Sequence, residues 1–184
     1  MKTIISLLLF TATTYASAAS FTSLIPTKSS ISFISKQMGV AVTGNFTQFN
    51  SQISLDPAHP ETSKAQIIIT LASIDAGSSE ANDEVKGKAW FNIKEYPSAI
   101  FIASGLKALG ANRYQAMGKL TIKGKVREVV VPFIATPTGA NLVLDGSIPI
   151  SRAAYGIGEG AWADTAIVAD DVQVKFHFTL SAAK

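Results

Sequence analysis

Cysteine is absent from this chain of 184 residues, and histidine occurs only twice, as His59 and His177. Without cysteine, neither disulfides nor thiolate metal sites can form. A serine triad needs a histidine as its base, and both histidines are predicted to be solvated. His59 lies in a proline-bracketed loop, and His177 alternates with Phe176 and Phe178 on a predicted strand. The sequence therefore disfavours an enzyme and predicts no cofactor.

Other groupings that carry chemistry are equally scarce. Asp171 and His177 share a strand face, but six residues of strand separate them by roughly 20 Å, so no metal site is predicted. Glu80, Asp83 and Glu84 are close together in a predicted helix. Carboxylates in that position usually keep the exposed face of a helix soluble.

A strong charge of one sign is lacking as well. The formal net charge is +3, and only 16% of the residues are charged. The one basic group, at Lys123, Lys125 and Arg127, occupies alternate positions of a predicted hairpin and has no interleaved aromatic residues. Nucleic acid is therefore not predicted as a partner.

An apolar run is present at the N-terminus. Lys2 precedes it, and the small residues Ala-Ser-Ala at 16–18 follow it, as in a secretory signal. About a dozen apolar residues are too few to span a bilayer. We predict a signal peptide at residues 1–18, cleaved before Ala19, and a single domain at 19–184. Export without disulfides fits the bacterial periplasm.

Alternation of apolar and polar residues dominates the predicted domain. A period of two marks strands with one apolar and one solvated face. The two clearest apolar faces are formed by Tyr114, Ala116, Gly118, Leu120 and Ile122, and by Val172, Val174, Phe176, Phe178 and Leu180.

Strand patterns recur about every ten residues, which favours a barrel or a sandwich. The pattern predicts an all-β fold, an antiparallel β-barrel of about eight strands with one short helix. A barrel of that size can hold one small ligand. The helix is predicted over residues 79–89 with Ser79 as its cap, and Pro132 is predicted at a bulge or an edge-like position. Strands are predicted at 31–35, 40–49, 64–73, 98–105, 112–123, 126–135, 141–150 and 171–181, with a further one ending at Leu55.

The interior of such a barrel can be packed or hollow. Aromatic residues are numerous enough to fill it. Small residues, however, interrupt the inner faces and would create space, namely Gly44, Ala99, Ala116, Gly118 and Gly146.

Several short motifs in a fixed order carry a family resemblance. They are Phe33, Gly44-x-Phe46-x-x-Phe49, Asp83, Trp90-Phe91, Tyr96-Pro97-x-Ala99-x-Phe101, Gly118-x-Leu120-Thr-Ile122-x-Gly124 and Arg152-x-x-Tyr155-Gly156. In this order the chain resembles the YceI-like family of exported polyisoprenoid-binding proteins, over residues 21–180.

The resemblance implies a lipocalin-like barrel that holds a long amphiphile, namely a polyisoprenoid, an isoprenoid quinone or a fatty-acid-like lipid. Its tail would lie in the barrel and its head near the mouth. Our own hypothesis makes Arg152 a candidate head-group partner. The tunnel would be lined by Phe33, Phe46, Ile69, Phe101, Tyr114, Leu120, Phe176 and Phe178, and rimmed by Trp90, Phe91, Tyr155 and Trp162.

The chain departs from the family at two positions where members often carry histidine, at Ser35-Lys-Gln37 and after Asp83. The resemblance therefore does not carry over the head-group contacts. The sequence leaves three alternatives open: a low-selectivity scavenger of hydrophobic compounds, an envelope-stress interaction protein with a packed core, and an enzyme acting through Tyr155 and Asp164. A membrane, a membrane protein or a second copy of the chain stays open as a further partner.

Overall fold

A computed structural model describes residues 20–183. The predicted signal peptide and its cleavage site lie outside these residues and stay predictions. The described part has eleven strands and one α-helix, α1, at Ser79–Lys86. The strands are β1 (Phe21–Leu24), β2 (Ser30–Gln37), β3 (Val40–Phe46), β4 (Phe49–Ser54), β5 (Lys64–Thr70), β6 (Ile74–Asp75), β7 (Ser98–Gly110), β8 (Arg113–Ile122), β9 (Lys125–Thr138), β10 (Asn141–Ser151) and β11 (Asp171–Ala182).

All these strands belong to one antiparallel sheet, in the order β4-β5-β7-β8-β9-β10-β11-β2-β3-β6, with β1 paired to β11. Phe21 of β1 also exchanges two backbone hydrogen bonds, of 2.9 and 3.0 Å, with Leu55, which follows β4. Because β1 thus connects the β4 edge to β11, the sheet curls into a barrel-like wall. The predicted fold class is confirmed.

The strand count is higher than the predicted eight or so, because short strands leave little alternation to read. β1 has four residues and β6 has two. The predicted strand at 40–49 ends earlier than expected, because β3 ends at Phe46, and β4 is the further strand that is predicted to end at Leu55. β7 is longer than predicted because its register with β8 shifts between Ala103 and Gly105, which interrupts the period of two.

β9 runs through Pro132 without a shift in its register to β8, where Pro132 faces Gln115. The pairing of β9 with β10 begins only at the next residue, Phe133, which faces Gly146. Pro132 therefore lies where the paired stretch with β10 ends, an edge-like position that suits a residue without an N–H.

Beyond that point β9 and β10 separate, while residues 147–151 of β10 continue along β11. The segment after β10 is attached to the separated part of β9 and to the turn that precedes β9. Arg127 donates two hydrogen bonds to the carbonyl of Ala154, of 3.0 and 2.9 Å, and the Nζ of Lys123 donates to the carbonyl of Gly156 at 2.6 Å. Residues 152–170 are thereby positioned beside the interior of the barrel.

α1 begins at residue 79 as predicted, but its cap lies one residue before the predicted one, and the helix ends before residue 89. Ser78 is the N-cap, and its hydroxyl accepts a hydrogen bond from the N–H of Ala81 at 3.2 Å. Gly87 ends the helix, and turns follow up to Pro97. Within residues 20–183, no helix is both long enough and apolar enough to cross a bilayer.

Candidate ligand-binding cavity

The barrel is hollow. A cavity of about 640 Å³ lies between the sheet and α1, a volume within the roughly 300–1,000 Å³ typical of ligand pockets. Its wall consists mostly of aliphatic and aromatic side chains from the inward faces of the strands. Ala81 and Val85 of α1 complete the wall at one end. The sequence allowed either a packed or a hollow barrel, and the structure shows that the barrel is hollow.

Most of the predicted binding residues come together around this cavity, and their contact with a ligand stays a prediction. The predicted residues that line it are Phe33, Phe46, Ile69, Trp90, Phe91, Phe101, Leu120, Arg152, Trp162, Phe176 and Phe178. Tyr114 and Tyr155 are not part of the lining.

Tyr114 belongs to the packed core beside the cavity. Its ring stacks on Phe133, its cross-strand partner, with 5.5 Å between the centroids and 17° between the planes. Tyr114 is buried within the hydrophobic core cluster. Tyr114 is buried as its alternation along β8 predicts, but its partner Phe133 lines the cavity and Tyr114 does not.

Tyr155 is also buried rather than on a rim, with 2% of its surface exposed. It lies in the short turn Ala153–Tyr155 that follows β10, and the guanidinium carbon of Arg127 is 5.9 Å from its ring centroid. Among the described residues its hydroxyl is buried without a hydrogen-bond partner. Burial raises the pKa of this hydroxyl. Tyr155 therefore packs beside the separated strands and does not face the cavity.

Arg152 lines the cavity, but its polar atoms are occupied. The residue is 2% exposed, and all five guanidinium N–H positions have backbone carbonyl partners. Nε donates to Ala169 at 3.1 Å, Nη1 to Ile157 at 2.9 Å and Gly158 at 3.0 Å, and Nη2 to Trp162 at 2.8 Å and Val168 at 2.6 Å. Because a guanidinium has five N–H groups, none remains for a head group. Arg152 instead holds residues 157–169 in place.

Gly158 makes room for this arrangement. Its φ is +76°, and a Cβ there would meet Nη1 of Arg152. The sequence signal for the loop is thus Arg152 followed by Gly156-x-Gly158-x-Gly160.

A hydrogen bond connects α1 to this loop at the end of the cavity. The indole Nε1 of Trp162 donates to Oε1 of Glu84 at 2.7 Å. The ring of Trp162 packs against Trp90, with 5.5 Å between the centroids, and the guanidinium carbon of Arg152 is 6.0 Å from the Trp90 ring. Both tryptophans therefore belong to the wall beside α1.

Apart from Arg152, the polar part of the lining follows from no pattern in the sequence. Ser35, Gln37, Glu80 and Glu84 line the cavity on the α1 side, and Ser63 and Lys64 line it elsewhere. The two glutamates, interpreted as solubilising, are four residues apart and so lie on one helix face. Asp83, between them in sequence, is not part of the lining. Within residues 20–183, His, Cys, Asp and Glu form no group of three that could hold a metal.

The two histidines lie away from this lining. Nδ1 of His177 is 2.7 Å from Oδ1 of Asp145 on the outer face of the sheet, and His59 is exposed beside Glu61. Both positions agree with the solvated histidines that the sequence predicts.

Comparison with known proteins gives several similar chains. A "UPF0312 protein" of Azotobacter vinelandii is 30% identical over 88 residues, 48% of this chain and 46% of that protein. A "UPF0312 protein" of Yersinia pestis is 27% identical over 110 residues, 59% of this chain and 57% of that protein. The matches thus span about half the length of these curated relatives.

Solved structures match over more of the chain. BcnA of Burkholderia cenocepacia is 45% identical with a TM-score of 0.83, covering 85% of this chain and 99% of that one. A polyisoprenoid binding domain from Saccharophagus degradans shares the fold at 17% identity, with a TM-score of 0.68 over 90% of this chain and 99% of that one. The family model described as "YceI-like domain" matches residues 23–180. This chain therefore belongs to the YceI-like domain family.

Proposed function

We propose that this chain is a periplasmic carrier that holds a long-chain amphiphile in its barrel. The ligand class is a polyisoprenoid, an isoprenoid quinone or a fatty-acid-like lipid. The observation that carries the proposal is the cavity of about 640 Å³ with its apolar wall. Each methylene buried there would contribute about 0.8 kcal/mol, so two or three isoprene units would give several kcal/mol before the costs of ordering.

Two further observations support this function. The sequence has the features of a signal peptide at residues 1–18, which fits a carrier in the periplasm. A domain described as polyisoprenoid-binding has the same fold. Binding rather than turnover is the function that the lining favours, because neither His59 nor His177 belongs to it and the hydroxyl of Tyr155 is buried away from it.

The first test is native mass spectrometry of the protein isolated from periplasm, followed by organic extraction and identification of the ligand. We expect one isoprenoid or acyl species per chain. An apo mass would call for titration with a fluorescent apolar probe, and failure to bind the probe would overturn the proposal. Equal affinity for unrelated apolar compounds would instead indicate a low-selectivity scavenger. Recovery in the cytoplasmic fraction, with the N-terminal residues retained, would overturn the location.

A further inference from the structure

The charged residues of the cavity lining are unevenly distributed. They are Glu80, Glu84, Arg152 and Lys64. Both carboxylates belong to α1, on the face that also presents Ala81 to the cavity. Because Glu80 and Glu84 are exposed while they line the cavity, they mark a mouth at which the apolar interior meets solvent. We call this opening the α1 mouth.

Contacts around the α1 mouth connect the two glutamates to the rest of the wall. Trp162 donates to Oε1 of Glu84 at 2.7 Å and so fixes that side chain. Gln37 forms a backbone bridge with Val168, and Val168 and Trp162 both supply carbonyls to Arg152. Gln37 thereby belongs to the same opening and adds an amide to it.

The carboxylate of Glu80 is held in its charged form. Hydrogen bonds from its own backbone N–H and from the hydroxyls of Ser78 and Ser79 lower its pKa. At neutral pH the α1 mouth therefore presents negative charge to an arriving head group.

The two cationic residues of the lining, Arg152 and Lys64, do not offset the negative charge that Glu80 and Glu84 present to a head group. Arg152 donates all its N–H groups to carbonyls, as described above, and its charge lies beside Asp170, whose carboxylate accepts the N–H of Ala153 at 2.8 Å. Lys64 begins β5, whereas Thr70, which ends β5, leads toward α1. Six steps of strand place Lys64 about 20 Å from that end.

We propose that the cavity selects amphiphiles whose head group is cationic or is an uncharged hydrogen-bond donor, and discriminates against carboxylate and phosphate heads. The head lies at the α1 mouth beside Glu80 and Glu84, and the tail lies in the apolar cavity. This inference rests on the proposed function and narrows its ligand class. Among the candidate lipids it disfavours fatty acids and phosphorylated polyprenols.

The expected preference is modest because the two carboxylates are exposed. Ion pairs between exposed groups are weak, so we expect a cationic head to bind only about threefold to tenfold more tightly than an anionic one. The preference should shrink at high salt, since exposed charges are screened.

The test compares three ligands of one chain length: dodecylamine, dodecanol and dodecanoate. Each ligand is titrated, below the concentration at which that ligand forms micelles, to displace a fluorescent apolar probe from the mature protein at low salt. For the unaltered protein we expect the affinity order amine, alcohol, carboxylate. In the variant with Glu80→Gln and Glu84→Gln, the amine and the carboxylate should bind within about twofold of each other. Glutamine at 84 keeps an oxygen that can accept from Trp162.

Asp83→Asn is the matched control, because Asp83 is on the same helix but outside the lining. It removes one negative charge of the helix without altering the lining, and it should leave the order of affinities unchanged. The salt dependence of the unaltered protein tests the same inference without a variant, should the double variant fail to fold.

The proposal is overturned if dodecanoate binds as tightly as dodecylamine, or if the double variant keeps the preference. If dodecanoate binds more tightly and Lys64→Gln abolishes that preference, the head lies beside Lys64 instead. Failure of the probe and all three ligands to bind would remove the proposed function itself. Displacement that is independent of the head group would leave that function standing and remove only this inference.

Discussion

The ring of Phe176 lies across Gly146, its direct cross-strand partner on β10. A Cβ at position 146 would be 2.6 Å from Cε1 of this ring and 2.7 Å from the carbonyl oxygen of Pro132. Phe33 covers Gly44, and Phe101 covers Gly118, in the same way. Three glycines thus allow aromatic rings to lie against the wall, which keeps bulky side chains in the lining without closing the cavity.

Gly146→Ala should therefore destabilise the protein. The added methyl group must displace Phe176 or the backbone at Pro132, and overpacking of this kind costs about 1–3 kcal/mol. The free energy of unfolding from urea denaturation measures the effect. Adding Phe176→Leu to the Gly146→Ala variant should recover part of the lost stability. It removes the clash with the ring but leaves the close contact with the carbonyl oxygen of Pro132.

Gly105→Ala is the control for this prediction. A Cβ there would meet only the terminal Cε of Met117, at 3.3 Å, and a flexible side-chain end can move. We expect a change within about 0.5 kcal/mol, as for ordinary surface substitutions. Equal stability of the two alanine variants would show that the Phe176 ring does not depend on Gly146.

Filling the cavity should abolish ligand binding without unfolding the barrel. Ala103 on β7 lines the cavity, and Ala103→Phe would place a ring in the open space. Ile102 on the same strand is 52% exposed and points outward, so Ile102→Phe is the matched control. Titration with a fluorescent apolar probe should show at least a tenfold loss of affinity for the first variant and none for the second. Equal loss in both would mean that the probe binds the surface.

Alternation in the sequence predicts which side chains face the interior, because the period of two is a property of one strand. Leu120 and Phe176 were assigned to the wall in this way, and both line the cavity. The position of an inward side chain relative to the open space depends on its neighbours across strands. Tyr114 lies on the same face of β8 as Leu120, yet its ring stacks on Phe133, and Tyr114 itself is not part of the lining.

The role of Arg152 also depends on residues brought together by the fold, so no sequence pattern predicts it. Its five partners are backbone carbonyls between Ile157 and Ala169, and every residue type carries such a carbonyl. Only the path of the chain brings them to the guanidinium. Glu84 was likewise assigned to a solvated helix face, because its hydrogen bond to Trp162 joins residues that are 78 positions apart.

Arg152→Lys should destabilise residues 157–169 strongly, although the substitution retains the positive charge. Lysine has three N–H donors in place of five, so at least two buried carbonyls lose their partner, at about 1–3 kcal/mol each. We expect a loss of about 2–5 kcal/mol in the free energy of unfolding, with faster hydrogen exchange over residues 157–169. Arg127→Lys, at an exposed arginine that donates to one carbonyl, should cost less than about 1 kcal/mol.

A head-group role for Arg152 predicts a different result. In that case Arg152→Lys would change the affinity for anionic ligands and leave hydrogen exchange in the loop unaltered. The two measurements on one variant therefore distinguish a residue that holds the loop from one that contacts the ligand.

Tyr155→Phe should be neutral or stabilising at neutral pH. The hydroxyl of Tyr155 is buried without a partner among the described residues, and removal of such a group relieves a desolvation cost of about 1–3 kcal/mol at most. Chemical denaturation near pH 7 measures the change. A loss of more than about 1 kcal/mol would show that the hydroxyl has a hydrogen-bond partner in solution.

The same substitution should also alter the response to alkali. Burial raises the pKa of Tyr155 in the folded state, so the unfolded chain ionises first, near pH 10. The contribution of this tyrosine to stability is complete below that pH and is lost as the pH rises through the folded-state pKa. Tyr155→Phe should make the decline of stability above about pH 10 less steep. Tyr96→Phe is the control, because the hydrogen bond to Glu95 is the largest cause that raises the pKa of Tyr96. This variant should keep the part of the alkaline decline that Tyr155 causes.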